Sequence, residues 1–239
     1  MTWGAYGLVF LVVVVASTVQ SSIGMGQGLV AAPLLRIIEE DLLPGPIVIA
    51  GLLTSGVLMA RNSKRSDVPE VVPAIVGRAF GAVVAAALLS LLSERGLTIT
   101  IGLIVLVVVC LRLGGFRIQK TPRVLLGTGI ASGISGTIAG LGGAPMGLLY
   151  EQHNRARDFR GPMGVFLAVG GVISVTALTV FGQIDARGWL LGLALIPPLV
   201  VGWVLARWVT PVVDQGLLGP AVLVISSASA LVLLVTQVV

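Results

Sequence analysis

The chain has 239 residues, of which 56% are hydrophobic and only 10% charged, against about 25% charged in soluble domains. With a mean hydropathy of +1.06, this composition excludes a water-soluble globular protein and points to an all-helical, multi-pass membrane protein. The net charge of +5 is scattered over the polar links between apolar segments, so it bears on membrane topology and excludes a nucleic-acid partner.

The first apolar segment, 4–20, lacks the basic start and small-residue cleavage site of a signal peptide and is expected to stay in the mature protein. It runs into Ser22-Ile23-Gly24-Met25-Gly26-Gln27-Gly28. Glycine costs a helix interior about 1 kcal/mol relative to alanine, so such a cluster marks backbone that leaves the helix and turns tightly. The apolar stretch that follows, 28–38, spans only ~16 Å as a helix, about half a bilayer core. After the acidic turn Glu39-Glu40-Asp41, apolar segments are predicted at 44–60, 70–92 and 97–113. Cys110, the single cysteine, falls within the last of these and reads as a small buried hydrophobe.

A polar link from Arg112 to Arg123 divides the chain, and the plan then repeats. Segment 124–139 leads to Gly140-Leu141-Gly142-Gly143-Ala144, followed by a short segment 143–150 and then by 161–181, 188–206 and 217–238. At a constant shift Gly24 matches Gly140, Gly26 matches Gly142, and Gly45-Pro46 matches Gly161-Pro162. Shared spacing of this kind indicates duplication, with halves 1–115 and 116–239. About five helical segments per half is an odd number, so the halves are expected to be inverted, each with a Gly-interrupted re-entrant or broken helix. Basic residues agree. With 61–69 placed inside, the inside loops hold eleven (Arg61, Lys64, Arg65, Arg112, Arg117, Lys120, Arg123, Arg155, Arg157, Arg160 and Arg207), and the outside loops hold Arg36, Arg95 and Arg187. That is a strong positive-inside bias. It requires each Gly-cluster unit to start and end on one side, with both termini outside; whether 4–20 and 124–139 cross fully is left open.

Paired, inverted, Gly-interrupted short segments mark a transport site near the membrane midplane. Non-helical backbone survives in hydrocarbon only where it lines a cavity or is buried in protein. The short helices begin near Gly28 and Gly143, and their N-termini would offer N–H groups and positive dipole ends to an anion. Gly24, Gly26, Gly28, Gly140, Gly142 and Gly143 would let it approach the backbone. Hydroxyl and amide donors flank both clusters: Gln20, Ser21, Ser22 and Gln27 in the first, Ser132, Ser135 and Thr137 in the second. The competing reading is tight helix packing through small residues, with the hydroxyls bonded back to their own helices.

Arg78 is the one cation well inside an apolar segment, ~12 Å beyond Glu70 along a helix. It either faces a polar interior as a functional group or snorkels to the inner surface. At the repeat shift it matches Ala194, so the site would be asymmetric in charge. His153, the only histidine, lies in the polar run 151–155 and reads as a solvated loop residue. Gly133-Ile134-Ser135-Gly136 resembles the GxSG of rhomboid intramembrane proteases, but a serine nucleophile needs a base within hydrogen-bond reach, and His153 is predicted at the membrane edge. One His, one Cys and no intramembrane acidic cluster leave no metal site or cofactor to expect.

Gly24-Met25-Gly26-Gln27-Gly28, followed by Pro33-Leu34-Leu35, and Gly140-Leu141-Gly142-Gly143-Ala144-Pro145 resemble the GxGGG-type motifs near the start of each half in the TauE/SafE family of sulfite exporters, also described as anion permeases. Gln27 and Ala144 each replace a glycine. The resemblance implies a secondary transporter that moves sulfite, an organosulfonate or a related sulfur oxyanion across the cytoplasmic membrane. Site residues expected from this reading are Ser22, Gly24, Gly26, Gln27, Gly28, Arg78, Ser135, Thr137, Gly140, Gly142 and Gly143. The partners are the small anion and the lipid bilayer, with a homo-oligomer left open. The alternatives are a passive anion channel, a Ser135 protease and a structural membrane subunit.

Overall fold

A computed structural model describes residues 3–65, 67–114, 119–151 and 156–213. Among these the regular structure is helical: α1 (Trp3–Ile23), α2 (Gln27–Ile38), α3 (Gly45–Asn62), α4 (Asp67–Leu89), α5 (Glu94–Leu113), α6 (Pro122–Ala139), α7 (Gly143–Glu151), α8 (Ala156–Val180), α9 (Ala186–Ala194) and α10 (Ile196–Val213), with a 3-10 turn at Glu40–Leu42. Among the described residues six stretches are long and apolar enough to cross a membrane: Gly4–Ile23, Gly45–Asn62, Asp67–Leu89, Glu94–Leu111, Phe159–Val180 and Ala186–Pro211. The expected segment 188–206 is broken at Leu195. Pro197 and Pro198 follow the break, and neither can donate the backbone hydrogen bond that would carry a helix through it. The segment 217–238 and His153 lie outside the described residues.

The chain leaves the helix at both Gly clusters, and the backbone shows why glycine is needed there. Gly24 and Gly26 have φ of 103° and 110°, and Gly140 has φ of 68°, a region that side chains with a Cβ avoid. Before the first break α1 runs 21 residues, roughly 31 Å, enough for a full crossing. α6 runs 18 residues, roughly 27 Å.

Helix pairing places the breaks at the centre. α4 packs along α6, α1 along α10, and α3 along α8, while α1 meets α2 and α6 meets α7 across their breaks. The α4–α6 crossing brings backbone against backbone. A Cβ on Gly77 or Gly81 would strike the carbonyl of Leu126 or Ile130, and one on Gly129 or Gly133 would strike that of Ala74 or Arg78. Each helix thus presents two glycines four residues apart to the backbone of the other, the small-residue spacing by which membrane helices pack without a hydrophobic drive between them.

Polar contacts collect at the two ends of the bundle. At one end Arg36 bonds to Glu94 and Thr98 and Arg187 pairs with Asp41. At the other Lys120 pairs with Glu70 and Ser63 donates to the Gly161 carbonyl at 2.9 Å. Arg36 and Arg187 at the first end and Lys120 at the second are residues that the basic-residue count puts on opposite sides.

Three side chains depart from expectation. Cys110 is exposed, because it shares the outward stripe of α5 with Leu103, Val107 and Leu111. Arg36, assigned to an outside loop, lies in α2 and is 4% exposed. Arg160, assigned to an inside loop, lies in α8 and is 7% exposed, its Nε donating to the Ser22 carbonyl at 2.7 Å. Arg160 is drawn inward by a carbonyl of the last turn of α1, which has no helical donor, and Arg36 by the Thr98 hydroxyl and the Glu94 carboxylate at the start of α5.

Candidate functional site

The two breaks touch backbone to backbone. A Cβ on Gly28 would strike the Gly140 carbonyl and lie 2.9 Å from the Leu141 amide nitrogen. A Cβ on Gly143 would lie 2.9 Å from the Met25 Cβ, and Gly136 approaches the Gly142 Cα as closely. Sequence positions more than a hundred residues apart are therefore joined at the start of α2 and the start of α7.

Beside this junction lies a small cavity of about 20 Å³, enough for one water-sized group. Its polar lining comes from Gln20, Ser55 and Arg78, together with Gly140, Gly142 and Gly143. Gln20 bridges elements: its amide donates to the Ser55 hydroxyl at 3.0 Å, and its carbonyl oxygen accepts from the Gln27 backbone N–H at 3.3 Å. It thereby satisfies one of the amides left over at the α2 N-terminus.

Arg78 enters from α4 and is 4% exposed. Its Nη1 donates to the Gly142 carbonyl at 3.3 Å, an oxygen that also accepts from the Ser132 hydroxyl. The guanidinium lies 5.0 Å from the centre of the Phe166 ring, within cation–π range. A Cβ on Gly170 would fall on its Nε, so the arginine lies in a slot cut by glycines. That Nε has no hydrogen-bond partner, and among the described residues no carboxylate pairs with Arg78. The snorkelling alternative does not describe this side chain, which turns to the second break.

The expected site residues are thus distributed unevenly. Arg78, Gly140, Gly142 and Gly143 line the cavity, and Gly28 abuts it through Gly140. Gly24 and Gly26 form the first turn, and Gln27 sits on the Gln20 carbonyl. Buried hydrogen-bonding atoms without a partner include Ser22 Oγ and Gln27 Oε1. Ser135 and Thr137 are engaged elsewhere: Ser135 donates to the Leu141 carbonyl at 3.3 Å, and Thr137 to the Ser174 hydroxyl at 2.9 Å. Among the described residues no base bonds to Ser135. Ser55, Phe166 and Gly170 were missed, since nothing local marks them. The Gly77/Gly81 and Gly129/Gly133 spacings were readable and went unused.

The chain matches a family model described as "Sulfite exporter TauE/SafE" over residues 9–233. No curated protein and no solved structure gives a match.

Proposed function

The chain belongs to the TauE/SafE sulfite exporter family, and from that premise we propose that it is a secondary transporter that moves a small anion, sulfite, an organosulfonate or a related sulfur oxyanion, across the cytoplasmic membrane. The observation that carries this reading is Arg78. It is a buried guanidinium without a carboxylate partner among the described residues, seated against the second Gly break where that break meets the first. An intramembrane cation in such a position is a ligand candidate. Gln20 and Ser55 add neutral donors on the same cavity. Gly142 and Gly143 keep the wall thin enough for an oxyanion to reach main-chain amides.

Alternating access by two inverted halves, 1–115 and 116–239, is the mechanism we assign. Support comes from the packing. Exchanging α1 with α6, α3 with α8, and α4 with α10 turns the α4–α6 pair into α10–α1 and leaves α3–α8 unchanged. The exchange also holds at residue level: Gly81 faces the Ile130 carbonyl as Gly202 faces that of Val14, and Val14 and Ile130 match at the repeat shift. By this register Arg78 corresponds to Leu199, not to Ala194, so the single charge is still unmatched. Rocking of one half against the other would expose the cavity alternately to the two ends.

The test is thermal stabilisation of the purified chain by sulfite, sulfate, thiosulfate, sulfoacetate, phosphate and acetate. A ligand at 100 times its Kd adds about 2.7 kcal/mol to the folded state. Selective stabilisation by a sulfur oxyanion, lost in Arg78→Gln, is expected. No response to any of them would sink the proposal.

A further inference from the structure

Building on the anion-site reading, we infer that the site accepts an anion of one negative charge and discriminates against two. The inference rests on what surrounds the cavity. A helix N-terminus carries about half a positive charge and a C-terminus about half a negative one. At each break one helix ends where another begins: α1 at Ile23 before α2 at Gln27, and α6 at Ala139 before α7 at Gly143. The opposed ends largely cancel, so the helix dipoles, which would individually favour an anion, leave little net charge at the breaks, and Arg160 at the first break is engaged by the Ser22 carbonyl at the end of α1 and does not line the cavity. Hydroxyl and amide groups from Gln20 and Ser55 are neutral. Among the described residues Arg78 is the only charged one lining the cavity, and its Nε is a buried donor without a partner there.

One fixed positive charge balances one negative charge. A second charge on the ligand would be buried without a counter-ion, the arrangement that low-dielectric interiors resist most strongly. The Arg78 fork can meet two oxygens of a single head group, while the Phe166 face and the carbonyl of Gly142 hold the guanidinium in place. A monoanionic sulfonate or hydrogensulfite fits this balance, and so does a singly charged carboxylate of similar size. Sulfate and fully ionised sulfite do not.

Methanesulfonate and sulfate give the cleanest comparison, because both are tetrahedral about sulfur and differ by one charge. Thermal stabilisation of the full chain in detergent is measured against each. Methanesulfonate is expected to act at least tenfold below the concentration that sulfate needs. Arg78→Gln should erase the response, and Arg78→Lys should weaken it while keeping the preference. Equal or stronger action by sulfate, still abolished in Arg78→Gln, would overturn the charge inference and leave the anion site standing. Stabilisation indifferent to Arg78→Gln, or absent with both anions, would overturn the site reading as well. Should Arg78→Gln fail to fold, sulfite titrated with the wild-type chain across pH decides. The concentration required should fall as acid converts the dianion to the monoanion, and a rise would refute the inference.

Discussion

A methyl group placed on Gly28 would land on the carbonyl oxygen of Gly140. These residues belong to different halves of the chain, and their contact is backbone against backbone, so neither partner can turn aside as a side chain would. The proposed substrate site depends on this junction, since Gly140, Gly142 and Gly143 line the cavity.

Gly28→Ala should therefore separate the two breaks. Overpacking of a tight contact costs roughly 1–3 kcal/mol, and transport in proteoliposomes should fall at least tenfold. Gly127→Ala is the control. It lies in α6 with nothing within 4 Å of the added methyl, so it should be neutral or stabilising by up to about 1 kcal/mol. Comparable losses from both variants would mean that the junction is not special.

Gly170→Ala asks a different question. Its methyl would fall on Arg78 Nε, part of a flexible side chain. The chain can accommodate that by moving the arginine, so the thermal midpoint should change less than in Gly28→Ala. Anion affinity should drop more than stability does, by about tenfold, which is ~1.4 kcal/mol. A variant with unaltered affinity would show that the position of Arg78 does not govern binding.

The α4–α6 crossing offers a graded series. Gly129→Ala would strike the carbonyl of Ala74, and Gly133→Ala that of Arg78 itself. Both should destabilise by about 1–3 kcal/mol. Only the second pushes on the residue that carries the guanidinium, so the ratio of transport lost to stability lost should be larger for Gly133→Ala. Equal ratios would indicate that this crossing serves packing alone.

Much of this was legible in the sequence for a physical reason. Apolar runs bounded by charge give helices of membrane length, and clustered glycines disclose breaks because only they take φ near +100° cheaply, as at Gly24 and Gly26. Arg78 stood out because a lone cation in an apolar run is costly. What stayed hidden depends on how the helices meet. Nothing near Phe166 or Gly170 announces that Arg78 will lie across them, and Thr137 looks no different from a ligand until Ser174 on α8 is seen beside it. Sequence singles out the N-termini at the breaks, whereas the structure also brings the C-termini of α1 and α6 to the same turns, with opposed dipoles. Arg36 and Arg160 were counted with the loops since sequence gives depth only to within a helical turn.

Arg36 and Arg187 lie at the same end of the bundle, yet only the contribution of Arg187 should be sensitive to salt. Arg36 is buried and donates to Thr98 Oγ1 at 2.9 Å, to the Glu94 carbonyl at 3.1 Å and to the Glu94 carboxylate at 2.6 Å. Removing it in Arg36→Met takes the donor from the buried Thr98 Oγ1, while the Glu94 carbonyl keeps the Thr98 hydroxyl and the Glu94 carboxylate stays in water; the buried acceptor sets a cost of about 1–3 kcal/mol. Arg187 pairs with Asp41 where both side chains are substantially exposed, and such pairs contribute about 0–1 kcal/mol. Thermal midpoints measured at low salt and at about 1 M salt, where screening acts within ~3 Å, separate the two. The effect of Arg187→Ala should vanish at high salt, and that of Arg36→Met should persist. If both vanish, Arg36 is held by solvent-accessible charge and not by the buried hydrogen bonds assigned to it. If both persist, the Asp41–Arg187 pair is a structural link between the halves and stronger than its exposure implies.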